Sequence, residues 1–254
     1  MAKMSREERL DILRRIIEQR RALTKSELQD AVNVSRMTLF RDLETLKEEG
    51  FIDDLYGSVT IRKPEYDLLQ SMESRIDEKR LIAQEAIKMV VEDDVIFVGA
   101  GTTTLEIARL LSKLDLHTTV ITNSLPIAME LEKNDNVSFI MLGGYYHRKT
   151  RSLFGPAARK SLEGLNGRIV FFGANGVDIE SGITGYFAEQ TDLIREMMKS
   201  CKIKVAVVDS TKFGKLCANR ICHLNQVDTI ITDNGLAESF QEQMKSHAVS
   251  YLLA

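Results

Sequence analysis

The 254 residues are enough for two domains, and 44 % apolar residues can supply a core to each. A net charge of −3 and a pI near 5.9 exclude a global basic field that would draw the whole molecule onto nucleic acid or an anionic membrane, so any DNA contact must be local. Cys201, Cys217 and Cys222 are odd in number and lack CxxC spacing, the start is charged where a signal peptide is apolar, and no apolar run approaches the roughly 20 residues that span a bilayer; a reduced, cytoplasmic protein with no membrane partner is expected.

The pairing of Ser5 with Glu8 predicts a capped helix with Leu10, Leu13, Ile16 and Ile17 on one face, ending near Arg20 and Arg21. Thr24 and Glu27 repeat the pairing and start a second helix, which Val32, Asn33 and Val34 break. Ser35 can cap a third, with Leu39, Leu43 and Leu46 inward and Gly50 as its stop. Phe51 and Ile52, a turn at Tyr56, Gly57 and Ser58, and then Val59, Thr60 and Ile61 read as a hairpin.

Three short helices and a hairpin are the pattern of a winged helix-turn-helix over residues 1–62, with a protein-interaction module as the alternative. The outward side of the third helix favours DNA. Ser35, Arg36, Thr38 and Arg41 stand near its N-terminus, the end a recognition helix presents to the major groove. There hydroxyls and arginines fix register on phosphates, and Arg36 can reach a guanine edge. Lys and Arg are balanced by Asp and Glu over residues 1–62, so binding depends on a sided distribution of charge and on pairing of copies, as a homodimer or homotetramer.

Around Pro64 the periodicity lapses, and residues 63–78 read as a linker. Asp77 is then placed to cap a helix carrying Leu81, Ile82, Ala86, Ile87 and Val90. Over residues 79–254 apolar β-rich runs at 95–98, 118–122, 137–142, 169–172, 203–208 and 229–232 alternate with helices, among them 126–133, 156–165 and 189–200. Continuous apolar strands between helices imply a mostly parallel α/β sheet covered on both faces. Ligands of such sheets collect at the carboxyl ends of the strands, a rule that puts residues 99–104, 122–124, 143–144, 173–176 and 209–214 on one rim.

The first of these is the most informative. Val95, Ile96, Phe97 and Val98 break at Gly99 and Gly101, and Thr102, Thr103 and Thr104 open a helix. Free N–H groups at a positive helix end, with hydroxyls beside them, suit a phosphate or carboxylate, and Lys212 can add a charge. The stretch is not a Walker loop, since no Gly-Lys-Ser/Thr follows, and it misses the last glycine of a dinucleotide fingerprint.

The recognition-helix stretch VSRMTLFRDLETLKEEG resembles the signature of DeoR-type bacterial transcription regulators, VSxxTIRRDLxxLxxxG. Phe40 replaces the first of two arginines, and Asp53 and Asp54 stand where the family's wing is basic. Further along, GAGTT, TNS, LGG, LFG, GANGVD, DSTKFG and ITD are similar to the sensor half of the same family, in the same order, so the resemblance covers nearly the whole chain. It implies a winged helix-turn-helix followed by a sugar-phosphate-sensing domain of the fold shared with ribose-5-phosphate isomerase and CoA transferases. Gly99, Asn175 and Gln190 each replace a carboxylate common in the family.

The resemblance implies a repressor of a carbohydrate catabolic operon, with operator DNA and a sugar phosphate as partners and no cofactor. The phosphate is expected on Gly101, Thr102 and Thr103 with Lys212 as countercharge; Asn123, Gly144 and Asp178 are expected to contact or shape the sugar side. Effector and operator would be coupled by about 1–3 kcal/mol. The alternative is a sugar-phosphate isomerase, which needs a general-base carboxylate that Phe172, Gly173, Ala174 and Asn175 do not supply. Cys217, Cys222 and His223 fit no common zinc spacing, and His147 with Arg148, Lys149 and Arg151 reads either as an aid to an anionic ligand or as a solvated loop.

Overall fold

The computed structural model describes residues 6–20, 22–48, 52–55, 58–61 and 68–254, and the chain divides into two compact units, Met1–Glu65 and Tyr66–Ala254. The first unit contains α1 (Arg6–Arg20), β1 (Ala22–Thr24), α2 (Lys25–Val32), α3 (Arg36–Glu48), β2 (Ile52–Leu55) and β3 (Ser58–Ile61). Its core is the set of helix faces expected from spacing: Leu10, Leu13 and Ile17, then Leu28 and Val32, then Leu39, Leu43 and Leu46, closed by Ile52 and Val59. The box at Thr24 forms, its hydroxyl accepting from Glu27 N at 3.3 Å while the Glu27 carboxylate accepts from Thr24 N at 2.8 Å.

The wing strands β2 and β3 pair antiparallel, Ile52 opposite Ile61. β1, which the residue pattern does not predict, adds a third strand against β3 because Leu23 finds Val59 across the ladder; three residues are too few to show a period in sequence. The cap at Ser5, the stop at Gly50 and the turn at Tyr56 and Gly57 lie outside the described residues.

The second unit runs α4 (Leu68–Glu73), α5 (Ile76–Ile87), β4 (Asp94–Val98), α6 (Thr102–Leu111), β5 (Thr118–Thr122), α7 (Leu125–Leu131), β6 (Val137–Met141), β7 (Tyr145–His147), β8 (Ser152–Phe154), α8 (Pro156–Lys160), β9 (Gly167–Phe172), β10 (Gly176–Asp178), β11 (Gly182–Gly185), α9 (Ala188–Lys199), β12 (Cys201–Val207), β13 (Asn219–Cys222), β14 (Thr229–Thr232), α10 (Glu238–Ser246) and β15 (Tyr251–Leu253). Seven strands form one sheet in the order β15-β14-β12-β9-β4-β5-β6, with every pairing parallel. Successive residues of β4 face opposite layers: Ile96 and Val98 pack with α5, α6 and α7, and Phe97 with α9. The β7 and β8 hairpin and the antiparallel sheet β10-β11-β13, which sequence pattern does not reveal, are built from strands of three or four residues.

Part of the expected linker is folded. Residues 68–73 are helical, Leu68 is buried, and its N–H donates to Lys149 O at 2.9 Å within the second unit. α5 starts at Ile76, after Arg75 in the left-handed region (φ 56°), and not under a cap from Asp77, whose side chain is exposed and faces Arg80 at 3.5 Å. A six-residue helix shows too little periodicity to be separated from a linker by pattern. α8 ends at Lys160, short of the expected residue 165.

From β4 the chain crosses through α6 to β5 on one side, while β9 and β12 lie on the other. The carboxyl ends of β4 and β9 therefore flank the point where the strand order reverses, and there a parallel sheet leaves a crevice.

Candidate functional site

That crevice holds a cavity of about 80 Å³, room for several waters. Gly101, Thr102 and Thr103 line it from the start of α6, Gly173, Ala174 and Asn175 from the end of β9, and Asp209 and Lys212 from the turn after β12. Lys79, Ser71 and Ser74 close it from α5 and the end of α4.

The loop before α6 is held open by bonds that leave its mouth unused. Thr104 Oγ1 donates to Gly99 O at 2.6 Å and to Gly101 O at 3.1 Å, Ala100 N donates to Asn123 Oδ1 at 3.2 Å, and Gln190 Nε2 donates to Ala100 O at 3.0 Å. Gly101 gives α6 no side-chain cap, so helix geometry leaves the first-turn N–H groups without intrahelical acceptors, with the Thr102 and Thr103 side chains at the same wall.

Two ammonium groups face these donors. Lys212 Nζ is 3.6 Å from Asp209 Oδ2, and Asp209 Oδ1 is taken by Thr211 N at 3.1 Å and by the Thr211 hydroxyl. Lys79 is 4 % exposed, and its Nζ donates to Ser71 O at 2.5 Å and Ser74 O at 2.6 Å. Burial lowers its pKa below the ordinary lysine value, with the Asp209 charge opposing and the Lys212 charge adding to the shift. Beneath them Asp233 collects Ser210 N at 2.7 Å, Ser210 Oγ at 2.8 Å, Gly235 N at 3.0 Å and Arg75 Nη2 at 3.1 Å. Burial pushes its carboxyl up, but these bonds and the Arg75 charge outweigh it and hold it below the usual range.

Of the expected ligand residues, Gly101, Thr102, Thr103 and Lys212 come together at this cavity, while Asn123, Gly144 and Asp178 do not line it. Asn123 is 2 % exposed and bridges Ala100 N to Leu153 O, to which its Nδ2 donates at 3.0 Å. Gly144 sits at φ +126°, where a Cβ would stand 2.3 Å from Phe154 O. Asp178 Oδ1 accepts from Ser181 N at 2.7 Å and Glu180 N at 3.2 Å in the turn between β10 and β11, and the Ser181 bond first among these holds its carboxyl below the usual range. Asn123 and Asp178 are thus engaged with backbone, and Gly144 is a close backbone approach. Asp209 falls in the 209–214 strand end that the sequence places on the rim, whereas Lys79, Ser71 and Ser74 carry no signal in the sequence, because they lie on or beside helices far from the glycine stretch.

His147 packs on Phe154 and Phe187 and hydrogen-bonds Thr150 Oγ1 at 2.9 Å, and it is not part of this wall. Burial pushes the Cys201 and Cys222 thiols up to about 12, and no group of His, Cys, Asp and Glu fit for a metal occurs among the described residues.

In the first unit Ser35 Oγ accepts from Thr38 N at 3.2 Å and meets Thr38 Oγ1 at 2.9 Å, capping α3. Ser35, Arg36 and Arg41 are exposed and Thr38 is half-buried on the side of α3 away from Leu39, Leu43 and Leu46, beside exposed Met37 and Phe40. Asp42 is a support residue: 1 % exposed, it takes Arg9 Nε at 2.5 Å and Nη2 at 3.1 Å, tying α1 to α3.

Residues 74–234 match the family model described as the DeoR C terminal sensor domain, and residues 8–59 match one described as an HTH domain. The chain is similar to the HTH-type transcriptional regulator GlpR of Haloferax volcanii, 33 % identical over 226 residues with 88 % of each chain covered. It is similar also to the lactose phosphotransferase system repressor of Staphylococcus epidermidis, 30 % identical over 254 residues, 96 % of this chain and 98 % of that one. A solved ribose 5-phosphate isomerase A from Methanocaldococcus jannaschii aligns over 55 % of each chain at 20 % identity and a TM-score of 0.42, too distant to bear on function.

Proposed function

This chain belongs to the DeoR family of DNA-binding transcription regulators, and on that premise we propose that it represses a carbohydrate catabolic operon in the cytoplasm under control of a sugar phosphate bound in its second unit. The observation that carries the reading is the convergence of the uncapped start of α6 with the ammonium groups of Lys79 and Lys212 on one small cavity. Free N–H groups, a helix dipole and two cations in a partly dehydrated wall are the requirements of a phosphate. The sugar would lie toward Asn175 and Gln190, whose amides replace carboxylates common in the family. α3 would enter the major groove with Arg36 and Arg41 leading, in an assembly of two or more copies.

The isomerase alternative needs a base free to take a proton from carbon. Asp209 carries the carboxylate at the cavity wall, and both its oxygens are engaged, by Thr211 and by Lys212. Glu189, on α9, accepts the Tyr145 hydroxyl. This speaks for a sensor and against turnover.

The test is thermal melting of the purified chain against a panel of sugar phosphates, with the parent sugars as controls. A ligand that binds the folded state raises the midpoint by mass action. A rise with one phosphate and none with its parent sugar supports the reading; a rise with the parent sugar alone, or with no member of a broad panel, refutes it.

A further inference from the structure

We infer that β6 is the surface through which two copies of this chain pair, edge to edge and antiparallel about a two-fold axis. β6 is the last strand of the seven-stranded sheet, and among the described residues it pairs with β5 alone, leaving one side of its backbone ladder without a strand. Edge strands of soluble proteins are usually blunted by lysine, proline or a bulge. Val137, Ser138, Phe139, Ile140 and Met141 contain none of these.

The edge is apolar on both faces. Phe139, in register with Val120, and Ile140, in register with Ile121, point to opposite sides of the sheet and remain 38 % and 40 % exposed. On α7, which packs against β6, Met129 is 60 % exposed. One partner strand along this edge would shield both faces at once, which a contact on a single face would not do.

Charge selects the partner and its direction. At the amino end of β6 stand Glu132, Asp135 and Asp115, all exposed, with Asp115 held there by Asn136 Nδ2 at 2.8 Å; the nearby Lys133 is already paired with Glu130. At the carboxyl end, Ser161 Oγ accepts from Gly143 N at 3.3 Å, which sets the end of α8 beside it with exposed Arg159 and Lys160 before Ser161 and one exposed acid, Glu163, after it, and Arg151 O accepts from the first N–H of α7 at 3.1 Å, leaving an excess of base. A parallel partner would set like charge on like. An antiparallel copy sets acid against base at both ends. Such an isologous contact is closed at two, whereas pairing β6 with the opposite edge, the three-residue β15, would run on into a filament. The inference rests on this edge and not on the identity of the effector.

Sedimentation velocity of the full chain at micromolar concentration tests it. The expected result is a mass of two chains or a multiple of two, halved by Phe139→Lys with Ile140→Lys and left unchanged by Leu216→Lys, at an equally apolar exposed position off the edge (65 % exposed). Arg159→Glu with Lys160→Glu is expected to weaken association, and adding Glu132→Lys with Asp135→Lys to restore it. The charge swap lies outside the strand, so it decides the case if the lysine variants fail to fold. A single-chain mass for the parent, an unchanged mass in the Phe139 and Ile140 variant, failure of the double swap to restore what the single reversal weakened, or a filament dissolved by Leu252→Lys overturns the inference.

Discussion

The ammonium of Lys79 donates to the Ser71 carbonyl at 2.5 Å, from inside the wall of the phosphate-sized cavity. A lysine so placed is dehydrated, tied to the end of α4, and still has one proton to offer a ligand. The short helix that sequence pattern assigns to a linker is thereby part of the sensor.

If the cavity holds an anion as proposed, Lys79 is expected to make that binding sensitive to alkaline pH. Its folded-state pKa is lowered from 10.5, so between the two values the unfolded chain binds more protons; stability rises with pH through that window, while affinity for a dianion falls as the ammonium is lost. Calorimetric titration with inorganic phosphate over a rising pH series is expected to show this decline beginning below the ordinary lysine value. Lys79→Met should bind weakly at every pH and show no such decline.

Thr102 and Lys212 both line the cavity, and Lys212 also stands 3.6 Å from the buried Asp209 carboxylate. Thr102→Val and Lys212→Ala are each expected to cost about tenfold to hundredfold in affinity for the best sugar phosphate, the worth of a hydrogen bond to a charged group. The melting temperature without ligand should be unchanged for Thr102→Val and slightly lowered for Lys212→Ala, which takes a cation from the buried Asp209.

Asn123 and Gly144 behave in the opposite way. Asn123→Ala leaves the buried Ala100 N–H and Leu153 C=O without partners, at about 1–3 kcal/mol each, and Gly144→Ala forces a Cβ to within 2.3 Å of Phe154 O. Thermal melting should show both variants destabilised, and a contact role in the sugar site would instead show as reduced affinity at an unchanged midpoint.

In the DNA-binding unit, Arg36→Ala and Arg41→Ala are each expected to make the salt dependence of binding to nonspecific duplex DNA shallower, by about 0.9 in slope for each phosphate that is no longer neutralised. Asp42→Asn should act through stability, by about 3 kcal/mol, because it strands the Arg9 guanidinium against α3. Fluorescence anisotropy at several salt concentrations, with circular dichroism of the same samples, separates the two effects.

Sequence by itself determined the two-part organisation, the helix faces of the first unit, the parallel sheet and the glycine-threonine loop. Those features are local: a period of 3.6 or 2, a capping box at Thr24 and Glu27, and the break of an apolar run at Gly99 and Gly101 are written in neighbouring residues. Tertiary structure alone decided which rim residues meet. Lys79 and Ser71 reach the cavity only when α5 and α4 close over the carboxyl ends of β9 and β12, and Asn123 turns inward because Ala100 and Leu153 present a donor and an acceptor across it. Short elements such as β1, α4 and β7 exist through long-range pairing more than through their own propensity, and so left no period to read.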